Sequence, residues 1–342
     1  MSRIAVVLTA IALLAIVASV AKGATSPAPL NSAGALSTVP KVAVLPTEGP
    51  PPVPIATPTA QPTATATPTP APQPTNTPTQ SAGLNAGAAK YKAVVDQYLD
   101  GLPGTFGVVV HDMKTGDTYV LNADRPFPTA SLYKLGLMYT VFKLDRQGKI
   151  SLQTKMDITQ ADMSESEFDE KLVPGMTVSI DRSLWFLITL SSNSAAIALN
   201  HYVSWADVNQ AMQQLGLVNT RMPGDRTYGD WRDEMPSSTP NEIYRFFEMV
   251  YKKQLVDEDA SDEMMYLLRH QQVDDRLSVN LPDGVVMAHK TGNLSGVIND
   301  VGIIFGPKTD LYVGVMTQGA DYEQTTKALQ GLGLALYKAA NQ

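Results

Sequence analysis

The sequence predicts an α+β fold, with an antiparallel sheet of about five strands flanked by helices and an adjoining all-helical lobe. Near the end of the chain, residues 284–291, 299–305 and 311–317 have the β-branched and aromatic content of paired strands. Near the start of the domain, residues 105–110 and 117–121 predict a hairpin. The segments between have helical apolar spacing. We therefore expect the first and last segments to close one sheet covered by helices.

The first 23 residues have the pattern of a secretory signal peptide. Arg3 precedes an apolar run from Ile4 to about Ala21, and small residues follow. Because the run is near the lower length limit for a membrane span, an uncleaved N-terminal anchor is the alternative. Both alternatives predict a secreted or extracytoplasmic protein, held at the membrane if the segment is not cleaved.

Residues 24–84 are dominated by Pro, Thr, Ala and Gln. Such a segment buries too little apolar surface to offset its ordering entropy, and its prolines favour polyproline II. We predict a disordered linker that either tethers the domain away from a membrane or through a cell wall, or has no such task. The folded domain is predicted at 85–342.

Within the domain, five helices are predicted in order. They are Ala86–Tyr98, a long helix that starts after Pro128-Thr129 and stops at Gly148, 181–190, 194–202 and 322–339. The acidic run 257–263 lacks the glycine and final glutamate of a calcium loop, so it predicts a solvated helix start.

Composition excludes several kinds of site. The chain has no cysteine, which excludes a lipid-anchored cysteine, disulfides and thiolate metal sites. A net charge of -7 without a basic run argues against nucleic acid as a partner. Its four histidines lie apart, without a Gly-x-Ser-x-Gly turn, which disfavours a Ser-His-Asp hydrolase. We expect no cofactor, no metal and a monomer.

Ser131 and Lys134 lie three residues apart at the predicted start of the long helix. That spacing puts both side chains on one face within hydrogen-bond reach, and the helix dipole favours an oxyanion on the serine. A lysine of lowered pKa can take the proton of a serine nucleophile. The alternative is a solvated pair on a helix surface, because Ser-x-x-Lys occurs about once by chance in a chain of this length.

Ser191-Ser192-Asn193 falls in the loop between two predicted helices. There the Ser191 hydroxyl can relay a proton to a leaving nitrogen, while the Asn193 amide holds Lys134 and a substrate carbonyl. The alternative is that Ser191 or Asn193 caps the following helix.

Lys-Thr-Gly occurs twice. Lys114-Thr115-Gly116 falls in the predicted hairpin, where it is ordinary turn chemistry, so the three letters alone prove little. Lys290-Thr291-Gly292 ends an apolar strand. An edge strand there would present Lys290 and Thr291 to a substrate carboxylate, and Gly292 would let the backbone approach closely. The Asn293 amide can then join that of Ser131 as an oxyanion hole.

These motifs and their flanking residues resemble class A β-lactamases and their penicillin-recognising relatives. The matching stretches are Phe127 to Lys134, Leu187 to Ala196 and His289 to Gly302, within a resemblance that covers nearly the whole domain. It implies a β-lactamase/transpeptidase-like fold with Ser131 as the acylated nucleophile, Lys134 as its partner and Ser191 as the proton relay. The substrate-binding residues that it implies are Asn193, Lys290, Thr291, Gly292 and Asn293.

Two departures from the family pattern affect the expected chemistry. Ser192 stands where the family usually has Asp, which removes a buried charge. The loop between Arg221 and Pro240 lacks the family's Glu-x-x-Leu-Asn, whose glutamate activates the water that clears the acyl-enzyme. The possible replacements are Asp225, Asp230, Asp233 and Glu234, although an Asp beside an Arg more commonly braces a loop.

The resemblance predicts a serine hydrolase that acts on β-lactams through an acyl-enzyme and deacylates slowly. One alternative is a D-alanyl-D-alanine peptidase-like or esterase activity on an acyl-peptide, peptidoglycan or another acyl donor. The other alternative is a non-catalytic wall-binding module, against which the intact Ser131, Lys134, Ser191 and Lys290 argue.

Overall fold

The computed structural model of the chain describes residues 86–164, 172–224 and 235–342. The predicted signal peptide or anchor, the linker and the middle of the loop between Arg221 and Pro240 lie outside these residues and stay predictions. In the described part of the chain, no helix is both long and apolar enough to cross a membrane.

Eight α-helices lie within the described residues. They are α1 (Ala86–Leu99), α2 (Tyr133–Arg146), α3 (Ile180–Thr189), α4 (Asn193–Leu199), α5 (Trp205–Gln214), α6 (Pro240–Tyr251), α7 (Glu258–Arg269) and α8 (Tyr322–Asn341). The five predicted helices are all present. The acidic run is also confirmed as a helix start, because the Asp257 side chain accepts the Ala260 amide and caps α7.

The described strands form one large sheet and two short two-stranded pairs. They are β1 (Thr105–Asp112), β2 (Thr118–Leu121), β3 (Phe127–Pro128), β4 (Lys155–Asp157), β5 (Thr177–Ser179), β6 (Ser237–Ser238), β7 (Met287–Leu294), β8 (Val297–Ile304) and β9 (Leu311–Gln318). The large sheet is antiparallel in the order β2-β1-β9-β8-β7. This confirms the predicted five-stranded sheet, closed by the pairing of β1 with β9.

The two faces of the sheet are covered differently. Helices α1 and α8 pack on each other beside one face, where Tyr91, Val95 and Leu332 share a core with apolar residues of the strands. The helical lobe covers the other face around α2, whose residues from Tyr133 to Phe142 are all buried. A lysine in the first turn of this central helix is therefore withdrawn from water.

Two predicted boundaries are wrong in ways that affect the site. Helix α2 begins at Tyr133 because residues Ala130–Leu132 form a 3₁₀ turn first. The Lys290-Thr291-Gly292 triplet does not end its strand but lies in the middle of β7. Pairing with β8 continues through Leu294 opposite Val297, so the hairpin carries the strand past the apolar run.

Candidate active site

Ser131 lies on the 3₁₀ turn between β3 and α2. Its neighbours Ala130 and Leu132 are buried, whereas Ser131 is only half-buried. Ala130 has φ 45°, in the left-handed region that costs a non-glycine residue roughly 1–2 kcal/mol. Such strain is concentrated at functional sites. Here the strained turn keeps the Ser131 hydroxyl accessible while its flanks are packed.

Lys134 is fully buried at the start of α2. Its Nζ donates to the Asn193 Oδ1 at 2.7 Å, to the Ser191 Oγ at 3.4 Å and to the Ser191 backbone carbonyl. Within the described residues, no hydrogen bond joins Ser131 to Lys134, and hydrogen-bond reach between the two side chains stays a prediction. The Lys134 Nζ donates instead to oxygen atoms of the loop at 191–193.

The loop at 191–193 connects α3 to α4. Ser191 has φ 55°, a second non-glycine residue in the left-handed region. The cap of α4 is Ser192, whose Oγ accepts the Ala195 amide at 2.9 Å. The alternative that Ser191 or Asn193 is the cap is therefore wrong, and both side chains are directed to Lys134 instead.

Lys290 is fully buried on β7, the edge strand of the sheet. Its Nζ donates to the Ser191 Oγ at 2.8 Å and to the Thr291 carbonyl at 2.8 Å. Burial, followed by the positive charge of Lys134, holds the pKa of Lys290 well below its usual range. The hydroxyl oxygen of Ser191 thus lies between two buried lysines.

Gly292 brings β7 against the Ser131 turn. A Cβ atom added to it would lie 2.6 Å from the Thr129 carbonyl oxygen and 3.3 Å from the Ser131 amide nitrogen. The Asn299 side chain on β8 fastens the same turn, since its Nδ2 donates to the carbonyls of Pro128 at 2.9 Å and Thr129 at 3.1 Å. Only glycine allows this approach.

Arg276 and Asn299 are two members of the site that sequence reasoning missed. Arg276 is 2% exposed, and its Nη2 donates to the Asn293 Oδ1 at 3.2 Å. Its charge also lowers the pKa of Lys290. Nothing in the local pattern around Arg276 signals this position, whereas Asn299 lies within the stretch that carries the family resemblance.

The remaining candidate residues are placed as follows. Lys114 lies in the turn between β1 and β2, as predicted, with its backbone amide donating to the Asp112 carboxylate. The possible replacements for the missing glutamate, at 225–234, lie outside the described residues. Among the described residues, no group of three or more His, Asp or Glu side chains is arranged to hold a metal ion.

Fold, buried lysines and accessible serine together define a penicillin-recognising serine hydrolase. A model of the β-lactamase enzyme family matches residues 88–340, and the chain belongs to that family. Among curated relatives, it is 24% identical to β-lactamase VEB-1 of Pseudomonas aeruginosa over 233 residues, which are 64% of this chain and 78% of VEB-1. It is 28% identical over 220 residues to a β-lactamase of Streptomyces lavendulae, over 59% of this chain and 69% of that protein.

Solved structures show the same fold. A β-lactamase of Sphaerobacter thermophilus superimposes with a TM-score of 0.68 at 24% identity, covering 74% of this chain and 97% of that one. The protein PBP-A superimposes with a TM-score of 0.66 at 19% identity, covering 73% and 95%. These similarities confirm the predicted β-lactamase/transpeptidase-like fold.

Proposed function

We propose that this chain is a class A-type serine hydrolase that opens β-lactams through a covalent acyl-enzyme on Ser131 and releases the product slowly. The Ser191 hydroxyl oxygen carries the proposal, because it accepts hydrogen bonds from both buried lysines. Lysines are almost never fully buried unless a partner or a function requires it. Perturbed, buried ionisable groups around a half-buried serine are typical of a catalytic site.

In the proposed acylation step, the Ser131 Oγ bonds to the lactam carbonyl carbon and the C–N bond of the ring breaks. The Ser131 proton passes to Lys134 in its neutral form. The Ser191 hydroxyl gives its proton to the leaving nitrogen and recovers one from Lys134, which returns to its neutral form. The acyl group stays on the enzyme as an ester, and the ring nitrogen gains one proton. Catalytic hydrogen bonds commonly tighten only when substrate binds, which is compatible with the absence of a Ser131–Lys134 hydrogen bond in the free protein.

Strand β7 supplies most of the proposed substrate-binding groups. Lys290 and Thr291 would hold the substrate carboxylate, with Arg276 adding positive charge behind them. The amides of Ser131 and Asn293 would stabilise the oxyanion, and the close approach of Gly292 supports this pairing. Asn193 would bind the substrate amide carbonyl while it holds Lys134.

Slow deacylation is proposed because the loop between Arg221 and Pro240 lacks Glu-x-x-Leu-Asn. Without the glutamate of that motif to activate water, the ester on Ser131 would persist. The same absence favours the second candidate, a D-alanyl-D-alanine peptidase-like or esterase activity whose acyl donor is a cell-wall peptide or another ester. A mutant of the fold neighbour PBP-A has been captured as an acyl-enzyme complex with penicillin G. A non-catalytic wall-binding module is the third candidate.

We further propose that the domain works outside the cytoplasm as a monomer. The signal-like segment at 1–23 supports export or an N-terminal anchor, and the proline-rich stretch at 24–84 supports a disordered linker. A linker of this composition would let the domain reach peptidoglycan from a membrane anchor.

The proposed function is tested by mixing the purified protein with a fluorescent penicillin and, separately, with a chromogenic cephalosporin. We expect stable fluorescent labelling and slow cephalosporin turnover, both lost in Ser131→Ala and kept in the control Ser295→Ala on the exposed β7–β8 hairpin. Rapid turnover without accumulated label would replace slow deacylation by an efficient β-lactamase. Absence of both signals in the wild-type protein would exclude the acyl-enzyme and favour the wall-binding module.

A further inference from the structure

His289 precedes Lys290 on β7 and is buried between two carboxylates. Its Nδ1 lies 2.9 Å from the Asp300 Oδ1, and its Nε2 lies 3.3 Å from the Asp274 Oδ1. An ionised carboxylate only accepts hydrogen bonds, so both contacts are favourable when each ring nitrogen carries a proton. This geometry favours the doubly protonated imidazolium form of His289.

The two carboxylates connect the imidazolium to different parts of the fold. Asp300 is fully buried on β8, and its Oδ2 also accepts the Leu277 amide at 3.0 Å. Asp274 belongs to the segment 274–277, which also contains Arg276 and the Leu277 amide. His289 thus joins that segment to β7 and β8 at the position next to Lys290.

His289 and the cationic Lys290 lie on opposite faces of β7. Neighbouring side chains on a strand point to opposite faces, so Lys290 reaches Ser191 while His289 reaches Asp300 behind the sheet. Arg276 is the second cation, and it bonds to Asn293 and the Asn299 carbonyl.

The ionisable side chains on other nearby elements interact with partners other than His289. Arg269 of α7 lies over the Phe305 ring, and His270 stacks near Tyr266. Burial, followed by the neighbouring Tyr244 and Asp300, raises the pKa of Tyr312 on β9 well above its usual range, so it stays neutral. Among the described residues, no ionisable side chain of α8 is hydrogen-bonded or ion-paired to His289.

We propose that His289 is a positioning residue: as an imidazolium held between Asp274 and Asp300, it fixes Lys290 and the Arg276 segment in the arrangement needed to acylate Ser131. This proposal rests on the proposed function of the site. It predicts that acylation requires a protonated histidine that touches neither the nucleophile nor the substrate.

The proposal also implies a pH dependence. Although burial alone would lower it, the charges of Asp300 and Asp274 and their hydrogen bonds raise the pKa of His289 to about 9. Below that pH, protonated His289 contacts both Asp274 and Asp300. Above it, His289 loses one proton and one carboxylate loses its donor, so acylation should fall on the alkaline side.

The test compares His289→Gln with His270→Gln, an equivalent change at an exposed histidine. Side-chain NMR of the four histidines in the wild-type protein should show one that titrates near pH 9 and is missing in His289→Gln. The second-order rate of labelling by a fluorescent penicillin should fall about ten- to a hundredfold at pH 7 in His289→Gln. The wild-type labelling rate should fall as pH rises through about 9, and this fall should be absent from the pH profile of His289→Gln. The His270→Gln protein should have the same rate and the same pH profile as the wild-type protein.

A His289 resonance that titrates near 6.5 would overturn the proposal, as would an unchanged alkaline limb in a folded His289→Gln protein. If that variant fails to fold, Asp274→Asn replaces it, since Asp274 is 59% exposed and the buried pair with Asp300 remains. In Asp274→Asn, we expect a lower pKa of His289 by NMR and an equal downward shift of the pH at which the labelling rate falls. Unequal shifts of these two quantities would contradict the proposal. Wild-type protein that is unlabelled at every pH would instead refute the proposed function, while the NMR titration still reports on the imidazolium.

Discussion

Replacing Gly292 by alanine should separate the edge strand from the nucleophile. The added methyl group would lie 2.6 Å from the Thr129 carbonyl oxygen, whereas ordinary contact begins at 3.4 Å, so the two backbones must move apart by about 0.8 Å. A misplacement of about 1 Å can cost on the order of 10²-fold in rate. We therefore expect the acylation rate of Ser131 to fall about 10²-fold, equivalent to about 2.7 kcal/mol of barrier.

The assay is stopped-flow or quenched labelling with a fluorescent penicillin, combined with denaturant unfolding. Overpacking should also lower the free energy of unfolding by about 1–3 kcal/mol, which leaves a folded protein to assay. Gly136→Ala in α2 is the matched control. Its methyl group would meet the flexible Met212 Sδ at 3.4 Å and the Val208 Cγ1 at 3.2 Å, so only small adjustments are needed. Labelling of Gly136→Ala should stay within about twofold of wild type.

Labelling of Gly292→Ala at the wild-type rate would refute this reasoning. It would mean either that β7 can retreat without affecting the oxyanion site or that the amide of Ser131 does not take part in acylation. Equal losses in both variants would point to general damage of the fold instead.

Three further outcomes are expected. Ser192→Ala removes the cap of α4 and should lower the free energy of unfolding by about 1 kcal/mol in denaturant titrations, with Ser131 still labelled. Because the folded-state pKa of His289, about 9, exceeds its unfolded value near 6.5, its contribution to stability is complete below pH 6.5 and is lost as pH rises through 9. That contribution is about 3 kcal/mol, measured as the loss of unfolding free energy from pH 6 to 10 relative to His289→Gln. Gly136→Ala should change the free energy of unfolding by less than about 1 kcal/mol, since gained helix propensity offsets the tighter contact with Val208.

The sheet could be predicted from sequence because β-branched alternation and turn residues are local signals. The end of β7 could not. Residues 292–294 have little strand propensity of their own, and they remain in the ladder because β8 pairs opposite them. Strand limits set by a partner are not visible in a local window.

The site shows the same division between local and nonlocal information. Ser131, Lys134, Ser191 and Lys290 were found from ordered motifs, and the structure brings the last three together. The cap at Ser192 was misassigned because three adjacent polar residues are equivalent in sequence, and the left-handed backbone of Ser191 decides among them. Arg276 lies far from every motif in sequence. It joins the site because its guanidinium bonds to the Asn293 side chain on β7 and to the Asn299 carbonyl on β8.

The central claim is that Ser131 becomes covalently acylated and is cleared slowly. Intact-protein mass spectrometry after mixing with penicillin G measures this directly, with time points from seconds to hours. We predict that the wild-type protein gains the mass of one penicillin, that the adduct decays slowly, and that peptide mapping places it on Ser131. An unmodified wild-type protein at all times, or an adduct that persists in Ser131→Ala, would contradict the account.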